Sequence, residues 1–217
     1  MSLILDVIQG LNREGVSYVV VGGVAVVLHG RDRVTMDLDL VISLDDANIR
    51  KTVKLLSGLG LKPRIPVNPL DFADPEIRRQ WVEERGMKVL SFIDPARATV
   101  GVDIFAAHPL DYGRLISRSL VSPLGETQVR YCSLDDLTTI ENAVNHVTAM
   151  PKSNPPESDP WPVDWESHRR NKIVYTALNT TPAQRFAWLE EMLELLRPRT
   201  AELLKSREND PARQYKQ

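Results

Sequence analysis

Apolar residues in the first half of the chain switch repeatedly between two periods. Leu3, Ile4, Val7, Ile8 and Leu11 recur at helical spacing, and Gly15 closes that run. Tyr18 to Val21 is a short β-branched stretch that reads as a buried strand, punctuated by Gly22-Gly23, with Val24 to His29 as a short helix. Met36 to Ile42 alternates strictly, with Met36, Leu38, Leu40 and Ile42 on one face and Asp37, Asp39 and Val41 on the other. Asp45-Asp46 opens a helix to about Leu59, with acids at its positive end and Gly60 as its stop. Pro75 to Arg85 reads as a helix with proline in its first turn. Met87 to Ile93 and Thr99 to Phe105 read as strands, and Leu120-Val121 pairs with Gln128 to Cys132 around Gly125. Ser133 starts a Ser-x-x-Asp cap ahead of Leu137, Ile140, Ala143 and Val144.

The second half reads differently. Prolines at 151, 155, 156, 160 and 162 exclude helix and central strand, so 150–164 reads as an extended linker. Beyond it the pattern is helical. Trp165 to Leu178 fits one helix. Thr181-Pro182 opens another that carries Phe186, Leu189, Met192, Leu193 and Leu196, and Pro198 begins a short last one. The expected organisation is a core over 1–149, the linker over 150–164, a helical C-terminal region over 165–208 and a frayed tail over 209–217. The fold class is α/β (α+β), with a helical appendage.

Composition narrows the classes. The chain has 217 residues, 42% hydrophobic and 26% charged, with formal net charge −2. That is ordinary globular composition with enough chain to bury a core. Cys132 is the only cysteine, which excludes an intrachain disulfide and a cysteine zinc site. The longest apolar run, Tyr18 to Leu28, falls short of the ~20 residues of a membrane span. With no basic leader before Asp6, the expectation is a cytoplasmic protein without a membrane partner. His29 reads as a helix-end residue. His108, His146 and His168 have no partners at metal-ligand spacing.

The chemistry-bearing segment runs from Val21-Gly22-Gly23 to Arg33-x-Thr35-x-Asp37-x-Asp39. On a strand, Arg33, Thr35, Asp37 and Asp39 project to one side. Two carboxylates two apart repel, so they either face solvent or share a cation. Mg²⁺ takes carboxylate oxygens together with substrate phosphates. A third acid, Asp103, lies between β-branched residues in what reads as an interior strand. If that strand neighbours Asp37–Asp39, three carboxylates meet, an arrangement suited to phosphoryl transfer. Arg33 either pairs with one of these acids or binds phosphate, and Thr35 reads as structural. Glycines between a strand and a helix allow backbone N–H groups to approach a phosphate.

A hydrophobic-Gly-Gly turn, thirteen residues, Asp-Leu-Asp and a distant hydrophobic-Asp-hydrophobic resemble the polymerase-β-type nucleotidyltransferase superfamily. Gly22-Gly23-x-Ala25, His29-Gly30 and Arg33-x-Thr35-x-Asp37-x-Asp39 resemble its small bacterial branch, with minimal nucleotidyltransferases and AbiEii-type toxins of toxin–antitoxin pairs. The resemblance covers roughly residues 1–145 and implies a mixed β-sheet nucleotidyltransferase core flanked by helices. It implies that Asp37 and Asp39 ligate Mg²⁺ (or Mn²⁺), and that Asp103 completes the site and assists deprotonation of the acceptor hydroxyl. Gly22 and Gly23 would contact the phosphates of a nucleoside triphosphate, with Arg33, Thr35 and Lys172 as further nucleotide-binding residues. The implied reaction moves NMP from an NTP to a hydroxyl of RNA or tRNA, a protein or a small molecule, and an antitoxin-like partner is implied for a toxin. Two positions depart from the toxin pattern. Glu141 stands where those relatives carry Lys, and Arg169-Arg170-Asn171-Lys172 lacks the following acid. Arg31, Arg33, Lys51 and Lys172 are the candidate replacements. A catalytically degenerate module that binds a nucleotide or a partner is the competing reading.

Overall fold

The structure, a computed structural model, describes residues 3–31, 35–95, 100–145, 180–191 and 193. Arg33, Lys172, Trp161, Trp165, the proline-rich segment 150–164 and the helix expected over Trp165 to Leu178 lie outside the described residues.

The elements run α1 (Leu3–Arg13), β1 (Tyr18–Val21), α2 (Gly22–Leu28), β2 (Asp37–Ile42), α3 (Asp46–Gly58), β3 (Lys62–Pro63), a 3₁₀ turn (Pro69–Ala73), α4 (Pro75–Arg85), β4 (Val89–Ile93), β5 (Gly101–Phe105), α5 (Tyr112–Arg118), β6 (Leu120–Leu124), β7 (Thr127–Tyr131) and α6 (Leu134–Asn145). Residues 182–191 form a further helix. The seven strands make one mixed sheet in the order β3-β4-β5-β2-β1-β7-β6. β2 runs parallel to β5 and β1 parallel to β7, while the other neighbours pair antiparallel. This is a mixed α/β fold, as the alternating periods predict.

Local chemistry fixes the element ends. The Asp45 side chain accepts from the Asn48 N–H to start α3. Asp74 caps α4, Pro75 takes its first position, and Gly86 closes it at φ +62°. Ser133 and Asp136 form the reciprocal cap of α6: Ser133 Oγ donates to Asp136 Oδ2 at 2.8 Å, and the Asp136 N–H returns at 3.3 Å. Three elements escape the periodicity. β3 is two residues long. The Pro69–Ala73 turn has too few residues for a period. α5 spans seven residues, with Asp111 as its cap. β6 continues past Val121 to Leu124 and carries Pro123, which a terminal strand accommodates.

The strand pattern divides the sheet. Leu38, Leu40, Leu90, Phe92, Val102 and Ile104 are all at most 1% exposed. Each such side chain stabilises the fold by ~1.5–3 kcal/mol. The alternating positions Asp37, Asp39, Ser91 and Asp103 stay half-buried on the opposite face. Phe186 and Leu189 of helix 182–191 join the same buried cluster, and Arg185 of that helix donates to the Leu28 carbonyl at the end of α2. Among the described residues no helix is long and apolar enough to cross a membrane.

Candidate active site

The site is assembled by strand register. Asp39 on β2 lies directly beside Asp103 on β5, and Asp37 beside Gly101. Neighbouring strands sit ~4.8 Å apart, and alternate residues along a strand ~6.6 Å apart. Asp37, Asp39 and Asp103 therefore share one face of the sheet at its centre. On the other side of β2, Val21 is the antiparallel partner of Asp39, so the glycine turn begins at the same rung.

Three glycines make room for these side chains. Gly22 adopts φ +60°, and a Cβ there would lie 2.1 Å from Asp39 Oδ2. A Cβ on Gly23 would lie 2.3 Å from Thr35 Oγ1, and one on Gly101 2.8 Å from Asp37 Oδ1. The Gly-Gly turn thus has a reason within the protein itself: it lets the Asp39 carboxylate and the Thr35 hydroxyl lie against the backbone. Thr35 Oγ1 also donates to the Asp37 carbonyl at 3.3 Å, which matches its structural reading.

The electrostatics follow from crowding. Burial, then the charge of Asp103, holds the Asp37 carboxyl above its ordinary range. The Arg64 guanidinium and a hydrogen bond from the Gly101 N–H pull the other way. Arg64 is absent from the basic residues that the sequence points to. Its signal is register alone: the Arg64 N–H donates to the Ser91 carbonyl at 2.9 Å, and Ser91 is the β4 partner of Asp103. Of the basic candidates, Lys51 sits exposed on α3, where its charge acts on Asp45, and Arg31 follows α2 with its N–H on the Val26 carbonyl. Glu141 is half-buried on α6, which packs against α2, and its charge helps push the Cys132 thiol up.

The remaining polar candidates have structural partners. His29 Nε2 lies 2.8 Å from the Cys132 carbonyl, with its ring edge-on to Tyr131. His108 Nε2 lies 2.9 Å from the Ile42 carbonyl, with its ring stacked on Tyr112. Cys132 is fully buried. Among the described residues no three His, Cys, Asp or Glu side chains form a ready cage for a metal ion.

No protein-family model matches the chain, and no curated protein matches it. Among solved structures the chain is similar to the antibiotic-resistance factor ANT(2'')-Ia, at 16% identity over 96% of each chain with a TM-score of 0.43. At that distance no residue role is carried over from it.

Proposed function

We propose that the chain is a divalent-metal-dependent nucleotidyltransferase that moves NMP from an NTP to an acceptor hydroxyl. One observation carries this reading: Asp37, Asp39 and Asp103 share one half-buried sheet face, with Asp39 in register with Asp103, beside a glycine turn shaped around Asp39. Burial and the nearby charge of Asp103 disfavour the ionised form of Asp37, a cost that a bound cation offsets.

The donor set fits a hard cation such as Mg²⁺ or Mn²⁺. It offers carboxylate oxygens and no nitrogen or sulfur, and Mg²⁺ is held by one or two carboxylates plus substrate phosphates, not by an all-protein cage. In this reading Asp37 and Asp39 hold the ion, which supplies charge neutralisation at the phosphate oxygens. Asp103 takes the proton of the acceptor hydroxyl. The hydroxyl oxygen bonds to the α-phosphorus, the α–β bridging P–O bond breaks, and pyrophosphate leaves. Gly22, Gly23 and Thr35 line the nucleotide side, with Arg33 and Lys172 as its further cations. A core over 1–149 carries this chemistry, and the region 165–208 serves the acceptor or a partner. A cytoplasmic location and a toxin role with an antitoxin-like partner accompany the reading. Growth arrest on expression, relieved by co-expressing an adjacent partner gene, tests the toxin role.

The competing reading is a degenerate module, favoured by Glu141 on α6 where toxin relatives carry Lys. Calorimetry of NTP binding separates the two. The expected result is Mg²⁺-dependent binding to wild type that is lost in Asp37→Ala/Asp39→Ala with the fold intact. No binding of any NTP with Mg²⁺ or Mn²⁺ refutes the enzyme reading.

A further inference from the structure

A cleft of about 220 Å³ opens where α1, β1, α5 and the β6–β7 hairpin meet. It lies at the far end of β1 from the acids. Ser17 precedes that strand, and Val21, the partner of Asp39, ends it about 13 Å further along. Val19 and Val41, which occupy the carboxylate face between these two ends, are fully buried. The cleft is therefore separate from the carboxylate site.

Its wall is rich in donors. Arg130 on β7 is the one charged side chain among the described residues that line it. Arg130 is half-buried, and its Nη1 donates to Ser119 Oγ at 2.8 Å. No carboxylate pairs with it among the described residues. Burial raises the Tyr18 and Tyr112 phenols, and the Arg130 charge acts against that rise at both, which sets the guanidinium between β1 and α5. A guanidinium bonded to a single hydroxyl keeps most of its N–H donors unspent. Gln128 stands two residues earlier on the same strand face, exposed, with its side-chain amide unbonded among the described residues. The Ser17 and Tyr112 hydroxyls share one hydrogen bond of 2.8 Å, so one of their two protons is left to donate.

The rest of the wall is apolar. Val16 and Ile116 line it, and Val121 stands on β6 directly beside Arg130. Asn12 fixes the shape from α1. Its Nδ2 donates to Thr127 Oγ1 at 2.8 Å and to the Gln128 carbonyl at 2.6 Å, and its Oδ1 accepts from the Tyr18 hydroxyl at 3.1 Å. These bonds tie α1 to β7 and β1, so the cleft is built into the packing before any ligand arrives.

We infer that this cleft binds a small organic carboxylate, with its two oxygens on Arg130 and the Gln128 and Ser17 donors and a short apolar body against Val16, Ile116 and Val121. A partly buried cation with no acid in the wall calls for one negative charge. The guanidinium fork matches the two oxygens of a carboxylate. The volume falls below the ~300 Å³ of the smaller usual ligand clefts, which excludes a nucleotide and admits a body of a few carbons. A phosphate dianion calls for a second cation, and none lines the cleft among the described residues. The site stands independently of the nucleotidyltransferase reading.

The test is an NMR titration of the ¹⁵N-labelled full chain with isovalerate, its neutral counterpart isovaleramide, and inorganic phosphate. The expected result is saturable shifts of the Ser17, Tyr18, Gln128 and Arg130 amides by isovalerate, with a Kd on the order of 1 mM for so small a ligand. Isovaleramide binds roughly tenfold or more weakly, because the charge-assisted bonds are lost. Arg130→Gln weakens isovalerate by a similar factor. Val121→Glu does the same from an exposed position, because its carboxylate takes the guanidinium in place of the ligand, and it decides the matter if Arg130→Gln fails to fold. Asp37→Ala/Asp39→Ala leaves isovalerate binding unchanged. No saturable shift at these amides, or unchanged affinity in Val121→Glu, overturns the inference. Equal binding of the amide overturns the role of the charge, and preference for phosphate overturns the carboxylate class. Loss of isovalerate binding in Asp37→Ala/Asp39→Ala overturns the placement of the site.

Discussion

Replacing Gly22 by alanine tests the central geometric claim, that the glycine turn is shaped around the Asp39 carboxylate. Gly22 sits at φ +60°, where a side chain costs ~1–2 kcal/mol. The stiffer unfolded chain of an alanine variant returns ~0.4–1 kcal/mol. The added Cβ would lie 2.1 Å from Asp39 Oδ2, 2.7 Å from its Cγ and 3.1 Å from its Cβ. Moving one oxygen does not relieve this, so the carboxyl must leave its rotamer, at ~0.5–1.5 kcal/mol. The net expectation is a loss of ~1–2.5 kcal/mol, or roughly 2–10 °C in Tm for a chain of this size. Urea unfolding followed by circular dichroism measures it. The discriminating experiment is the double-mutant cycle with Asp39→Ala. Without the carboxylate only the backbone strain remains, so Gly22→Ala costs less in that background, with coupling above ~0.5 kcal/mol. Equal costs in the two backgrounds refute the claim that the glycine is there for the carboxylate.

The other expectations use the titrating groups. Asp37→Asn stabilises the metal-free protein at neutral pH. The Asp37 carboxyl is raised, so its ionised form opposes folding, and the gain disappears as pH falls below the unfolded value of 3.8. Chemical denaturation at several pH values reads the effect, and a destabilised Asp37→Asn at neutral pH counts against the crowding argument. His29 is lowered, first by burial and then, against the pull of its bond to the Cys132 carbonyl, by Arg185. Its neutral form is the folded one. Its contribution to stability is complete above the unfolded value of 6.5 and falls as pH drops from there toward the folded value. His29→Asn flattens that part of the stability profile, and a profile unaltered by the substitution contradicts it. The Cys132 thiol is pushed up to about 12 by burial, then by Asp136. Native protein at neutral pH therefore leaves a disulfide exchange reagent unreacted until denaturant is added, and fast native labelling refutes the buried placement.

Much of the architecture was legible locally. Strict alternation from Met36 to Ile42 forecast β2 because a strand exposes one face per alternate residue, and β2 spans Asp37–Ile42. Asp45, Pro75 and Ser133 forecast three helix starts because capping and first-turn preferences act within a few residues. The candidate acids and glycines were recognisable by type and spacing. Short elements were not: two residues of β3 carry no period, and α5 has one cap and a single turn of apolar residues.

What the sequence determined by itself is therefore what depends on neighbours a few residues apart: strand faces, helix starts and the residue types able to hold a phosphate or an ion. Tertiary structure alone decided which strands lie side by side. The parallel register of β2 with β5 sets Asp103 beside Asp39, although more than sixty residues separate them in the chain. The same pairing gives Gly101 its reason, in the contact with Asp37, and the pairing of β1 with β2 brings Gly22 against Asp39. Pairing across β4 and β5 also brings the charge of Arg64 to act on Asp37. Register between distant strands is set by burying Leu38, Leu40, Phe92 and Ile104 together on the opposite face. That is a collective property of the core, and no single stretch of sequence contains it.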